Sequence, residues 1–312
     1  MNDTASWNTL DLGLIGAGPW GCNIIRTIAG LDGVRLARLA SRNPESTALV
    51  PADCIISEDW QGLIDAGDLD GVIIATPPTR HAAMTTAAID AGLPVMVEKP
   101  MTLSLNEADA VLDAAAATGA IVLVDHIHLY SAAWEALTRE AQALGPLNAV
   151  SAVAGNWGPF RPDTPMLWDW GAHDIAMCLD LIGKTPKMVI AQKIESCTLD
   201  GGRGDALALE LGFGDVTAKI ALSTLSSEKN RLFTASLDGG ELVYNDAIDD
   251  KLRLKINPQD LGKALTLSQG TPLERAIHAF CAAIRLGAAD IKGAVLGRDV
   301  VKVLTQLQQH LA

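Results

Sequence analysis

The sequence predicts an α/β domain with a doubly wound parallel sheet, followed by an α+β domain built on a large, mostly antiparallel sheet. Three observations predict it. Short apolar runs alternate with helical segments through residues 10–125, a glycine-rich loop follows the first run, and beyond residue 146 strand-like segments follow one another directly. At about 150 residues per domain, 312 residues suit two domains. The expected division is 1–125 and 126–312, with the C-terminal helices able to return to the first domain.

In the first half the apolar runs are Leu10–Ile15, Val34–Ala40, Cys54–Ser57, Val72–Ala75, Val95–Val97 and Ile121–Val124. They are continuous rather than alternating, as strands buried on both faces of a parallel sheet require. Helices are expected over about 19–29, 79–91 and 104–117. Pro19 and Ser104 stand where a helix starts, and Gly30, Gly92 and Gly119 where one stops. Residues 125–146 read as a helix rather than a flexible tether. Strands then follow over 147–155, 187–195, 205–213, 216–224, 231–238 and 241–245. Asp200-Gly201-Gly202, Gly214-Asp215 and Asp238-Gly239-Gly240 mark turns between them. Helices are expected over about 170–182, 271–286 and 298–310.

The first strand runs into Gly16-Ala17-Gly18-Pro19-Trp20-Gly21. In such a GxGxxG loop the first glycine permits a tight turn and the second lets backbone approach a pyrophosphate. The third lets the helix pack on the strand, and the helix N-terminus supplies amides and partial positive charge. Position after the first strand of a βαβ series makes this a dinucleotide-binding Rossmann signature.

Composition excludes other classes. With 49% apolar and 20% charged residues the chain is globular, and its net charge of −13 repels nucleic acid and anionic lipid. The longest apolar stretch, Ala114–Val124, is far short of the roughly 20 residues of a membrane span. Cys22, Cys54, Cys178, Cys197 and Cys281 are odd in number and scattered, and no targeting signal is seen at the N-terminus. Reduced thiols in a cytoplasmic protein are therefore expected.

Three further segments carry a resemblance. Ala75-Thr76-Pro77-Pro78-Thr79-Arg80-His81 ends the fourth strand, Glu98-Lys99-Pro100 ends the fifth, and Trp168-Asp169-Trp170-Gly171-Ala172-His173-Asp174 opens a helix in the second half. Together with Leu273–Gly287 they resemble, in order, the TPxxxH, EKP, DxGxHD and returning-helix segments of the glucose–fructose oxidoreductase/inositol dehydrogenase (Gfo/Idh/MocA) family. The resemblance implies a nicotinamide-dependent oxidoreductase in which Lys99, Asp169 and His173 are the catalytic trio. It implies that Thr76, Pro77 and His81 border the nicotinamide ribose, that Glu98 and Pro100 shape the loop around Lys99, and that the Lys99–Pro100 peptide is cis. Asp125-His126-Ile127-His128-Leu129-Tyr130 departs from the family, placing His128 where many members carry an arginine. A substrate of different charge or shape is expected.

The chemistry suits those residues. Hydride leaves an alcohol carbon more easily as the hydroxyl proton departs, so the site needs a base and a cation for the developing alkoxide. Lys99, at the carboxyl end of a sheet strand, can supply the cation. Asp169 and His173 are spaced i, i+4 and share a helix face. There the dipole disfavours imidazolium while Asp169 favours it. His126 and His128 beside Asp125 also have metal-ligand character, but no third well-spaced ligand accompanies them and no metal is expected. Trp157, Trp168 and Trp170 lie near Arg161 in sequence, within or beside a Pro-rich loop over Gly158–Pro165. Tryptophan faces plus an arginine suit a sugar or an anion, so Trp157 and Arg161 join His128 as substrate candidates. The expected substrate is a small molecule bearing a secondary alcohol: a sugar, cyclitol or sugar derivative. A non-sugar reductase and a non-catalytic dinucleotide sensor are the alternatives, and the joint presence of the trio favours an enzyme.

A NAD-binding fold places an acid about 20 residues past the glycine loop. Here the second strand ends in Leu39-Ala40-Ser41-Arg42-Asn43, without one. Ser41 can donate a hydrogen bond and Arg42 can pair with a 2′-phosphate, which favours NADP(H); NAD(H) also fits if Arg42 only stacks on adenine. Strands such as Leu207–Leu211 and Lys219–Leu222 are too apolar for open solvent, so a homodimer or homotetramer with sheets packed face to face is expected.

Overall fold

The computed structural model describes residues 9–160, 164–199, 202–257 and 259–311. In the first half it has β1 (Leu10–Ile15), α1 (Pro19–Ala29), β2 (Val34–Ala40), β3 (Ile55–Ser57), α2 (Trp60–Ile64), β4 (Gly71–Ile74), α3 (His81–Asp90), β5 (Val95–Glu98), α4 (Leu105–Thr118) and β6 (Val122–Asp125). There follow α5 (Ala132–Ala143), β7 (Leu147–Trp157), α6 (Ala172–Ile182), β8 (Met188–Leu199), β9 (Gly202–Gly212), β10 (Thr217–Ser223), β11 (Leu225–Leu237) and β12 (Gly240–Asn245). The chain ends with β13 (Leu252–Lys255), β14 (Lys263–Ala264), α7 (Pro272–Leu286) and α8 (Lys292–Gln309). The chain divides into two compact units. One is the chain up to Asp125 with Leu273–Arg298; the other is His126–Pro272 with the chain from Asp299.

The first unit is a six-stranded parallel sheet in the order β3-β2-β1-β4-β5-β6. Strand order reverses between β1 and β4, and in such sheets ligands bind beyond the carboxyl ends of the strands at that point. Leu12, Leu14, Val72, Ile74, Val95 and Val97 are fully buried, as a sheet covered on both faces demands. The segment returning late in the chain packs here too. A Cβ on Gly71 of β4 would stand 2.9 Å from Ile284 and 3.0 Å from Phe280 of α7, and one on Gly293 of α8 would stand 2.4 Å from the Val122 carbonyl. The glycines thus let both helices approach the sheet backbone. Arg285 Nη2 donates to the Gly33 carbonyl at 2.6 Å and Arg298 Nε to Asp109 Oδ1 at 2.8 Å.

The second unit is an eight-stranded sheet in the order β14-β13-β12-β11-β7-β10-β9-β8. It is antiparallel except where β7 and β10 run parallel. Helices cover one face. Trp134 of α5 meets Phe233 of β11 edge to face at 5.1 Å, and its indole N–H donates to Asp180 of α6 at 2.7 Å. A Cβ on Gly171 would lie 3.2 Å from Leu222 of β10, so glycine there lets the segment leading into α6 lie close against the sheet.

The structure corrects several expectations. The short α2 and the strands β13 and β14 lacked a strong periodic signal, and α8 begins at Lys292 rather than near 298. Leu207, Leu209, Leu211, Ile220 and Leu222 are buried on the helix-covered face. The other face shows alanine and polar side chains between them: Ala208, Glu210, Lys219 and Ala221, with Lys219 opposite Glu210. Period-two alternation sorts the apolar residues inward, so their density along the chain does not measure the apolarity of the open face. Among the described residues no helix is long and apolar enough to cross a membrane.

Candidate active site

The turn after β1 follows from its glycines. Gly16 takes φ of 100° and the amide of Gly16 donates to the Ala40 carbonyl at 2.9 Å. A Cβ on Gly16 would lie 2.5 Å from the Ala75 carbonyl at the end of β4, and one on Gly21 would lie 2.1 Å from the Gly16 carbonyl. Both positions therefore exclude any side chain. Gly18, the N-cap of α1, is different: a Cβ there would meet nothing within 4 Å. No protein atom therefore demands glycine at this position. Pro19 follows at the first helical position, and the first turn of α1 carries no acid. An anion at this N-terminus would meet amides and the positive end of the helix dipole.

A cleft of about 490 Å³ opens here, lined by Gly16, Ala17, Gly18, Ser41, Arg42, Thr76 and Pro77. Ser41 and Arg42 stand just beyond β2, where the adenosine end of a dinucleotide would lie. One further residue faces them. Glu58, just after β3, lines the same cleft, and its carboxylate lies 3.7 Å from Arg42 Nε with both side chains mostly exposed. The chain distance from Gly21 gave no sign of it; the pairing of β2 with β3 brings it in. Gly18, the acid-free helix start and the Ser41-Arg42 pair together fit a dinucleotide.

The ends of β5 and β6 carry a second cluster in this unit. Glu98 and Asp125 are register neighbours on adjacent parallel strands. The indole N–H of Trp20, from the glycine loop, donates to Glu98 Oε1. Burial pushes the Asp125 carboxyl up to about 6 and the Glu98 carboxyl well above its usual range; the Asp125 charge adds to the rise at Glu98, and Lys99 and Trp20 oppose it at both. Burial thus favours the protonated form of both carboxyls, which lie beside Lys99. The Lys99–Pro100 peptide is cis, as the resemblance implies. His81 is fully buried, with Nδ1 2.9 Å from the Pro100 carbonyl and Nε2 2.8 Å from the Thr76 carbonyl. It thus clamps the β4 loop to the Lys99–Pro100 turn from inside rather than standing open to a cofactor. Burial lowers its affinity for a proton.

In the second unit Asp169 lies in a π turn, Leu167–Gly171, that runs into α6, with His173 in the first turn of α6. The wider π turn replaces the regular helix face expected from i, i+4 spacing, and such turns favour functional positions. Asp169 and Trp170 line a cleft of about 380 Å³ with Arg203, Asp205 and Thr224. The His173 ring meets the His128 ring edge to face at 4.9 Å. His128 Nδ1 lies 3.1 Å from the hydroxyl of buried Tyr244. Behind them Arg231 Nη1 donates to buried Asp174 at 3.2 Å. Trp157 is 58% exposed and meets Phe160 edge to face, whereas Trp168 is buried core. Arg161 lies outside the described residues.

Sequence reasoning thus missed Glu58, Tyr244 and the Asp174–Arg231 pair. Tyr244 left a faint signal, a phenol at the inward position of an alternating strand. The others depend on strand pairing.

A profile of an oxidoreductase family with an NAD-binding Rossmann fold matches residues 10–126. A solved structure from Magnetospirillum magnetotacticum MS-1, assigned as an oxidoreductase, superposes with a TM-score of 0.91 at 45% identity, covering 96% of this chain and 100% of that one. The 4-carboxy-2-hydroxymuconate-6-semialdehyde dehydrogenase of Sphingobium sp. strain SYK-6 is 25% identical over 96% of this chain and 98% of its own length. The UDP-N-acetylglucosamine 3-dehydrogenase of Acidithiobacillus ferrooxidans is 30% identical over 60% of this chain and 58% of its own.

Proposed function

The chain belongs to the Gfo/Idh/MocA family of NAD(P)-dependent dehydrogenases, and on that footing we propose that it moves a hydride between NADP(H) and a secondary alcohol of a sugar, cyclitol or sugar derivative. The observation that carries this is Lys99 at the carboxyl end of β5, beside the buried carboxyls of Glu98 and Asp125, in the same sheet as a glycine loop shaped for a dinucleotide.

Gly16, Ala17 and Gly18 with the α1 N-terminus hold the pyrophosphate, and Thr76 and Pro77 border the nicotinamide ribose. Ser41 and Arg42 hold the 2′-phosphate. The bound nicotinamide supplies the hydride acceptor or donor. Lys99 stabilises the developing alkoxide as a cation. His173 takes the carbinol proton as a neutral base, and Asp169 stabilises its charged form. Trp157, Arg161 and His128 contribute to substrate recognition. The open face of the second sheet pairs with a second copy in a homodimer or homotetramer. The free cysteines suit a reducing, cytoplasmic compartment.

The test is a panel of polyols and sugars with both cofactors, read as absorbance of the reduced nicotinamide. Lys99→Ala and His173→Ala are expected to lower turnover by roughly 10²–10⁴. Full activity in folded His173→Ala would remove that residue from the mechanism.

A further inference from the structure

We propose that Tyr244 and His128 are positioning residues for His173: the Tyr244 hydroxyl donates to His128 Nδ1, which sets His128 as the Nε2–H tautomer and holds its ring against His173. The inference rests on the reading of His173 as the base.

Three segments distant in sequence meet at this point. Tyr244 is on β12, His128 is in the turn Ile127–Tyr130, and His173 is on α6. Tyr244 is 1% exposed. A phenol that far from water keeps a partner or costs stability. Burial pushes its acidity far from neutral, so the hydroxyl stays protonated. The proton has two places to go, Ser131 and His128, both at the hydroxyl. Ser131 Oγ already accepts the Ala133 amide as the N-cap of α5, at 3.2 Å. The Ser131 contact opposes the upward shift at Tyr244, the sense of a Ser131 proton given to the Tyr244 oxygen. The Tyr244 proton then goes to His128 Nδ1, 3.1 Å away. The order Ser131, Tyr244, His128 leaves His128 protonated on Nε2.

The His128 and His173 rings stand 86° apart in plane, so they touch by packing, and a fixed His128 ring restricts the His173 ring. Phenylalanine at 244 would fill the same core without a buried hydroxyl. The hydroxyl is spent on one histidine, and that histidine abuts the candidate base. Among the described residues, Asp246, Arg231 and Asp174 act on Tyr244, with Asp174 on α6 paired with Arg231 on β11 and Asp246 paired with Lys251, and Asp169 stands in the turn before His173.

The experiment uses full-length protein with ¹⁵N-labelled histidine. Of its six imidazoles, those of His128 and His173 are assigned by loss of signals in His128→Phe and His173→Asn. Wild type is expected to show His128 with a protonated Nε2 and a bare Nδ1. Tyr244→Phe is expected to convert this to a mixture of tautomers and to move the His173 resonances. Turnover by Tyr244→Phe should fall roughly 10-fold with the KM for NADP unchanged, and the pH profile of kcat/KM should shift. The hydroxyl acts through His128, so Tyr244→Phe should cost nothing further in a His128→Phe background. A His128 protonated on Nδ1 in wild type, His173 signals unmoved by Tyr244→Phe, or additive losses in the double variant would each overturn the proposal. If His173→Asn keeps full turnover, the catalytic reading falls while the tautomer measurement still decides the relay.

Discussion

Arg42 and Glu58 present opposite charges to one cleft, and which of them the ribose meets decides the cofactor. The ion pair between them is long and exposed, so it holds Arg42 only weakly. Arg42→Ala is expected to weaken NADP binding roughly 10- to 100-fold and NAD binding far less, because only NADP offers a phosphate to the guanidinium. Glu58→Gln should tighten NADP binding by roughly 2- to 5-fold by removing an anion from the phosphate end. Titration of both cofactors into the three proteins checks this; equal weakening by Arg42→Ala would show stacking on adenine instead. Asp125 makes a second residue-scale prediction. Its folded value of about 6 lies above the unfolded value near 4, so the folded state binds the proton more tightly. Stability then falls as pH rises through that window, and the full cost stands above it. Asp125→Asn removes the charge, so its advantage over wild type should grow between pH 4 and 6 and level off at roughly 1–3 kcal/mol. Melting temperatures across pH check it, and an offset independent of pH would contradict it.

At the scale of elements, the loop from β1 to α1 separates two uses of glycine. Gly21 faces the Gly16 carbonyl and Gly18 faces open space. Gly21→Ala must displace backbone, and is expected to cost several kcal/mol or prevent folding. Gly18→Ala should leave the melting temperature of the apoprotein within a degree or two while weakening both dinucleotides about equally. Calorimetry of apoprotein beside cofactor titration distinguishes the two, and a Gly18→Ala protein that binds normally would refute the placement of the pyrophosphate. His81 works on the same scale. It joins the ends of β4 and β5 through two carbonyls, so the turn presenting Lys99 is held by a residue that itself stays out of solvent.

At the scale of the molecule, the second sheet leaves one broad face uncovered by its own helices. That face carries Ala208, Ala221 and the exposed Val153, with Lys219 and Glu210 opposite each other in register. An uncovered sheet face with small and apolar side chains suits a two-fold contact with a second copy of itself. Light scattering at micromolar concentration is expected to show a dimer or tetramer, and Ala208→Arg with Ala221→Arg to give monomer. A wild-type monomer would count against the assembly.

The parallel sheet, the glycine loop and the order of the motifs were all legible along the chain. These rest on local rules: continuous apolar runs, caps at Pro19 and Gly119, and glycines where a Cβ would strike backbone. β1, β2 and α1 were legible to the residue because periodicity, caps and punctuation agree there. The sequence also marked Lys99, Asp169 and His173, because each sits in a short recognisable segment. The rest depends on which segments become neighbours in the folded chain. Strand pairing put Glu58 beside Arg42 and Asp125 beside Glu98. Packing enclosed His81 and turned the leucines of β9 and β10 inward. The meeting of β12, α6 and the turn after β6 gave His128 a phenol partner. None of these proximities is written in spacing along the chain, since each is set by the burial of apolar faces at sequence separations that local rules do not reach.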